Sequence, residues 1–151
     1  MLKLVDNKSD ILKTNLDALD IDAVSVEYLK DIKNKMTETM LANDGIGLAA
    51  NQVGMVDRLF IMIHSQTNKI IMCVNPEILN YSKTKKSFRE GCLSFKGEYY
   101  SILRPYDIIV KYYDENKNQV LNTFSGIDSI CFQHELDHLN GITFHKRKKD
   151  V

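Results

Sequence analysis

The sequence predicts an α+β fold, on three observations. Apolar residues Val26, Leu29, Ile32, Met36 and Met40 recur at spacings of three and four, the pattern of an amphipathic helix. Short runs rich in isoleucine, valine and other apolar residues fill the middle of the chain and read as strands. A second helix-length segment closes the pattern, beginning near Ile127 and stopping at Asn140-Gly141. Helix, then strands, then helix is the order of an α+β domain and not of an alternating α/β one.

In chain order, Ser25 is placed to cap the first helix, and Asn43-Asp44-Gly45 to stop it, because asparagine and glycine tolerate left-handed backbone. Arg58–His64 and Lys69–Asn75 read as strands. Ile108–Tyr113 and Gln119–Phe124 flank the polar segment Asp114-Glu115-Asn116-Lys117-Asn118, which suggests a hairpin. The last seven residues are mostly basic and read as a solvated tail, with contact to RNA as the alternative.

Composition narrows the function classes. A chain of 151 residues without repeats or Pro/Gly linkers is expected to form one domain, residues 1–151. Hydrophobic residues at 44% and charged residues at 26% place it with globular and not disordered proteins. Lysine plus arginine and aspartate plus glutamate both number 20, so bulk charge gives no argument for nucleic acid. The longest apolar runs, such as Leu59–Ile63, are far too short to span a bilayer. The first residues turn acidic at Asp6 without a signal-peptide hydrophobic region. Three cysteines do not make a disulfide framework. These features lead to the expectation of a cytoplasmic protein with reduced thiols, acting neither on DNA nor in a membrane.

Chemistry concentrates in Gln133-His134-Glu135-Leu136-Asp137-His138. Residues four apart on a helix share a face, so His134 and His138 can meet one metal ion, with Glu135 beside it as a general base. The alternative is a helix that carries two histidines by coincidence. A catalytic metal needs a third protein ligand. Candidates are Cys92, Cys131, Cys73, His145, His64 and the carboxylates. Cys131 shares the face of His134, but the metal should lie near the level of Leu136, ~7.5 Å along the axis. A cysteine side chain with its metal bond reaches only roughly 5 Å from Cα, so Cys131 reads better as core. His145 falls one residue late for the third histidine of extended metzincins, and no methionine turn can follow it. Cys92, in the polar segment Arg89-Glu90-Gly91-Cys92-Leu93-Ser94 between strands, is placed like a ligating thiol or a plain turn cysteine.

Three segments together resemble the peptide deformylase family: Gly45-Ile46-Gly47-Leu48-Ala49-Ala50-Asn51-Gln52, Glu90-Gly91-Cys92-Leu93-Ser94, and the helix motif Gln133–His138. They stand in family order, and the resemblance runs from about Asp22 to Phe144. It implies mixed or antiparallel sheets packed around a central helix that carries the HExxH motif. It also implies that the protein hydrolyses the N-formyl group from formyl-methionyl nascent peptides and releases formate. Carried over by position, Cys92, His134 and His138 hold the metal, and Glu135 moves the proton. The Gln52 side-chain amide and the Leu93 backbone N–H stabilise the oxyanion. Gly45, Ile46, Gly47 and Gly91 line the peptide, and Ile46, Ile127, Ile130 and Cys131 line a methionine pocket beside His134, with a plain core role as the alternative for Cys131. The cofactor so implied is one divalent ion: ferrous iron in the cell, with zinc, nickel or cobalt as substitutes.

The sequence departs from the family where Lys96 replaces a proline and Tyr99 replaces an arginine at the pocket mouth. The N-terminal segment also lacks the family's proline-containing opening. The chain stops soon after His145, resembling shortened deformylases known from some phages, so ribosome contact is expected to be transient or to use another surface. Two rival readings remain: a metalloprotease of the HExxH type, and a metal-stabilised binding module without turnover.

Overall fold

Helix α1 (Val26–Ala42) starts where the Ser25 side chain accepts a hydrogen bond from the Tyr28 N–H, 3.0 Å, in the computed structural model, which describes residues 1–148. It stops at the expected place, with Asn43 as cap, but the left-handed residue is Asp44 (φ 57°) and not Gly45. Leu29, Ile32, Met36 and Met40 are buried.

Seven strands follow: β1 (Gly47–Ala49), β2 (Leu59–Ile63), β3 (Ile70–Tyr81), β4 (Lys85–Gly91), β5 (Tyr99–Pro105), β6 (Asp107–Tyr113) and β7 (Gln119–Ser125). Helix α2 (Ile127–Leu139) follows, and a three-residue 3-10 turn, Phe144–Lys146, comes after it. Five strands form one sheet in the order β1-β2-β3-β6-β7, and β4 and β5 form a separate hairpin. Every pairing between these strands is antiparallel, so the expectation of mixed or antiparallel sheets resolves to antiparallel.

The uninterrupted apolar run of β2 has a physical cause. Leu59 and Ile61 pack with α1, whereas Phe60 and Met62 pack on the opposite face with Cys131, Phe132 and Leu139 of α2. A strand covered on both faces loses the in–out alternation of a half-exposed one. Phe60 and Phe132 meet edge to face, with ring centroids 5.0 Å apart.

β3 runs six residues past its expected end at Asn75. Its first part, to Val74, pairs with β2, and from Val74 onward it pairs with β6, with register shifts between Val74 and Glu77, where Asn75 has φ 50°, and between Ile78 and Asn80. The bulged bend lets one strand serve two partners. The β6–β7 hairpin falls where the pattern placed it, whereas the β4–β5 hairpin was not anticipated.

α2 is buried along nearly its whole length. It ends at Gly141 (φ 74°), where an added Cβ would meet the Lys13 carbonyl oxygen at 2.6 Å. The chain then returns to β5. Phe144 is buried, Arg147 bonds Asp137, and Lys148 bridges Ile102. Lys146, Arg147 and Lys148 are exposed as expected of a solvated tail, but the segment is also tied down, by the His145–Glu98 and Arg147–Asp137 bonds and the backbone bridge at Lys148, which a basic run does not reveal. Residues 149–151 of that expected tail lie outside the described residues.

Candidate metal centre

Two elements that never pair in a sheet meet here. α2 presents His134 and His138 one turn apart, with ring centroids separated by 5.0 Å. β4 ends at Gly91, and the loop that follows carries Cys92 over the helix. The ligand atoms of Cys92, His134 and His138 all lie within 4.8 Å of one another, and Cys92 Sγ is 3.3 Å from His138 Nε2. Around one tetrahedral ion, a sulfur and a nitrogen ligand stand about 3.6 Å apart.

The surroundings fit a cation as well. His134 Nδ1 is bonded to Glu90 Oε1, 2.9 Å, which leaves Nε2 for an ion. Burial pushes His134 down, but hydrogen bonds to Cys92 and Glu90 outweigh it and raise the imidazole to about 10. The negative groups that hold a proton there would hold a metal cation in its place. Burial, together with the neighbouring His134 charge, keeps His138 well below its ordinary value, in the neutral form a ligand needs. Burial also raises the Glu135 carboxyl to about 7. Among the described residues, Glu135 Oε1 has no hydrogen-bond partner.

The other candidate histidines and cysteines fall outside this cluster. Cys131 is buried, with its thiol directed at the Ile46 carbonyl, 3.7 Å. Cys73 is fully buried in the sheet core. His64 stands beside Asp128, and His145 beside Glu98.

Gln52 lies in a 3-10 turn, Ala50–Val53, directly after β1. Its Oε1 accepts from the Ala49 N–H, 2.9 Å, which orients Nε2 toward Ser94 Oγ (2.9 Å) and Cys92 Sγ (3.7 Å). A cleft of about 580 Å³ runs between Asp44–Gly47 and Gly91–Tyr99, with Gln52, His134 and Glu135 in its wall. A Cβ on Gly47 would lie 2.6 Å from Glu135 Oε2, and one on Gly45 would lie 2.5 Å from Leu93 Cδ1. On the Gly45–Gly47 side there is no room for side chains at the two glycines, and β1 stands at the edge of its sheet.

A smaller cavity of about 140 Å³ opens beside His134 and Glu135, lined by Ile46, Gly91, Ile127, Ile130 and Cys131. The structure thus gathers around one centre the residues that the family resemblance implied for the site, and leaves Cys73, His64 and His145 outside it. Sequence reasoning missed Phe88 and Arg89, which complete this cavity from β4. It also missed the buried network behind His134. Arg104 donates to Glu90 Oε2 (2.6 Å) and to Asp137 Oδ2 (2.9 Å), and Arg147 reaches Asp137 Oδ1 at 3.0 Å. The signal was present in the charged residues Glu90 and Asp137 inside the motifs, but their partners are distant in sequence.

Comparison with known proteins agrees with this geometry. The family described as polypeptide deformylase matches residues 1–151. A curated relative, peptide deformylase 2 of Prochlorococcus marinus, is 36% identical over 127 residues, covering 82% of this chain and 63% of that protein. The chain therefore spans just under two thirds of that relative's length. The crystal structure of peptide deformylase from Thermotoga maritima superposes with a TM-score of 0.91 at 34% identity, covering 99% of both chains. A probable peptide deformylase from Synechococcus phage S-SSM7 gives 0.90 at 30% identity, covering 97% of this chain and 99% of that one. With all three sequence motifs converging on one Cys-His-His cluster, the chain belongs to the polypeptide deformylase family.

Proposed function

We propose that this chain, acting as a single catalytic domain, hydrolyses the N-formyl group from the N-terminal formyl-methionine of nascent polypeptides and releases formate. The observation that carries the reading is the Cys92-His134-His138 cluster beside a buried, unpartnered Glu135 oxygen and an apolar cavity.

Cys92, His134 and His138 hold one divalent ion. An ion there supplies Lewis acidity, which activates water and polarises the formyl carbonyl. Glu135 accepts the proton of the attacking water through its free oxygen and returns it to the departing amine. The Gln52 amide N–H, already turned toward the cleft, and the Leu93 backbone N–H stabilise the charge that develops on the formyl oxygen. The peptide backbone lies along Gly45–Gly47 as a strand added to the free edge of β1. Gly91 borders it from the opposite wall. The methionine side chain fills the cavity between Ile46, Ile127, Ile130 and Cys131.

Ferrous iron is the proposed ion in the cell, with zinc, nickel or cobalt able to occupy the same donors. No helix of the described residues is long and apolar enough to cross a membrane. The proposed setting is the cytoplasm, where the protein meets nascent chains with at most a transient ribosomal contact through its basic C-terminal segment. The deciding experiment measures formate release from formyl-Met-Ala-Ser by anaerobically purified protein loaded with nickel or iron. Turnover that vanishes in Glu135→Ala supports the reading. A fully metal-loaded protein without turnover overturns it in favour of a binding module.

A further inference from the structure

We infer that His145 is a positioning residue for the metal centre, clamping the loop that carries Cys92. That loop spans residues 92–98 and joins β4 to β5, so no strand pairing fixes its shape. Its internal backbone bonds are sparse: Phe95 N–H to the Cys92 carbonyl, 3.1 Å, and Glu98 N–H to the Phe95 carbonyl, 3.2 Å. A loop of this kind needs outside anchors to hold a ligating sulfur to within a few tenths of an ångström.

The segment after α2 supplies one. His145 Nε2 is 2.9 Å from Glu98 Oε1, to which the Tyr100 hydroxyl also donates at 2.8 Å. The opposite ring nitrogen, Nδ1, contacts Thr143 Oγ1 at 2.9 Å, so the imidazole is held at both ends. The ring also meets that of Phe95 nearly at right angles, with centroids 4.5 Å apart. The Glu98 carboxyl is held below the usual range, first by the hydrogen bond from His145 and then by that from Tyr100. His145 thus grips the loop at Phe95 and Glu98. The same short turn buries Phe144, whose ring centroid lies 5.7 Å from that of His134. One three-residue turn therefore touches both the loop that presents the thiol and a helix residue that presents an imidazole.

The inference rests on Cys92 being a ligand, and the test separates the two claims. Cobalt affinity is measured by chelator competition in the full chain, alongside amide hydrogen exchange. His145→Ala is expected to weaken cobalt binding about tenfold, the lower end for residues that orient ligands. It should speed exchange in 92–98 while exchange in α1 and the five-stranded sheet stays as in the parent. His145→Gln, which keeps a donor for Glu98, should recover part of the affinity. Glu98→Ala should reproduce the loss, and the double variant should bind no worse than the weaker single one. Parental cobalt affinity in His145→Ala, or a loss accompanied by faster exchange throughout the molecule, overturns the inference. Cys92→Ala is the control: unchanged cobalt binding there would defeat the ligand assignment itself.

Discussion

At the scale of single residues, the proposed mechanism separates groups that would hold the ion from groups that would move protons. Glu135→Ala removes no ligand, so metal content should stay at one ion per chain. Activity should fall about 10²–10⁴-fold, the usual contribution of a general base, as formate release and metal analysis on the same sample will show. Glu90 is different, because it binds the His134 ring nitrogen and the Arg104 guanidinium at once. Arg104 is only 4% exposed, so Glu90→Ala leaves a buried cation short of a partner. Such a break costs about 3–5 kcal/mol, read from urea unfolding, and metal affinity should drop about 10–100-fold with it. The grouping of Cys92, His134 and His138 was legible because motif residues carry their chemistry in their own side chains. The support was not: nothing local to Glu90 announces that Arg104, Asp137 and Arg147 stand behind it.

At the scale of elements, legibility followed burial. α1 has one buried face, so its apolar spacing gave its position, while Ser25 and Asn43-Asp44-Gly45 gave its cap and its end. α2 is buried nearly all round, and its outline came from the HExxH spacing and the Asn140-Gly141 stop more than from any stripe. β4 escaped notice because most of its residues are exposed and only Glu90 is buried, so it shows no apolar alternation to detect. Residues of β4 and its loop nonetheless deliver Cys92, which is why a site element can be invisible to hydrophobic pattern. The packing of α2 makes a sharp prediction. Phe132 is fully buried and meets Phe60, Phe124 and Tyr112. Phe132→Ala should destabilise the protein by about 3–5 kcal/mol. A shift of the urea midpoint without a change in slope would show that stability alone was affected.

At the scale of the whole molecule, the order β1-β2-β3-β6-β7 was beyond local pattern, because pairing depends on the bend of β3 and on which strands the helices cover. The start of α1 and the β6–β7 turn are far apart in sequence but tied by two lysines. Lys33 Nζ bonds Glu115 Oε1 at 2.9 Å, and Lys117 Nζ bonds the Val24 carbonyl at 3.0 Å. Burial acts to raise the Glu115 carboxyl, but the Lys33 hydrogen bond, its own backbone N–H and nearby lysine charge carry it below its ordinary value of 4.5. A carboxylate lowered in the folded state stabilises the protein above its unfolded pKa and loses that contribution as pH falls through the folded value. Lys33→Met should therefore cost about 0.5–1 kcal/mol at pH 7, the range for a solvent-screened pair. The deficit should shrink steadily as pH falls below about 4.5. Paired urea titrations of parent and variant between neutral and acid pH measure that difference directly. A deficit that stays constant across the range would mean that Lys33 acts through its aliphatic stem against the hairpin and not through its charge.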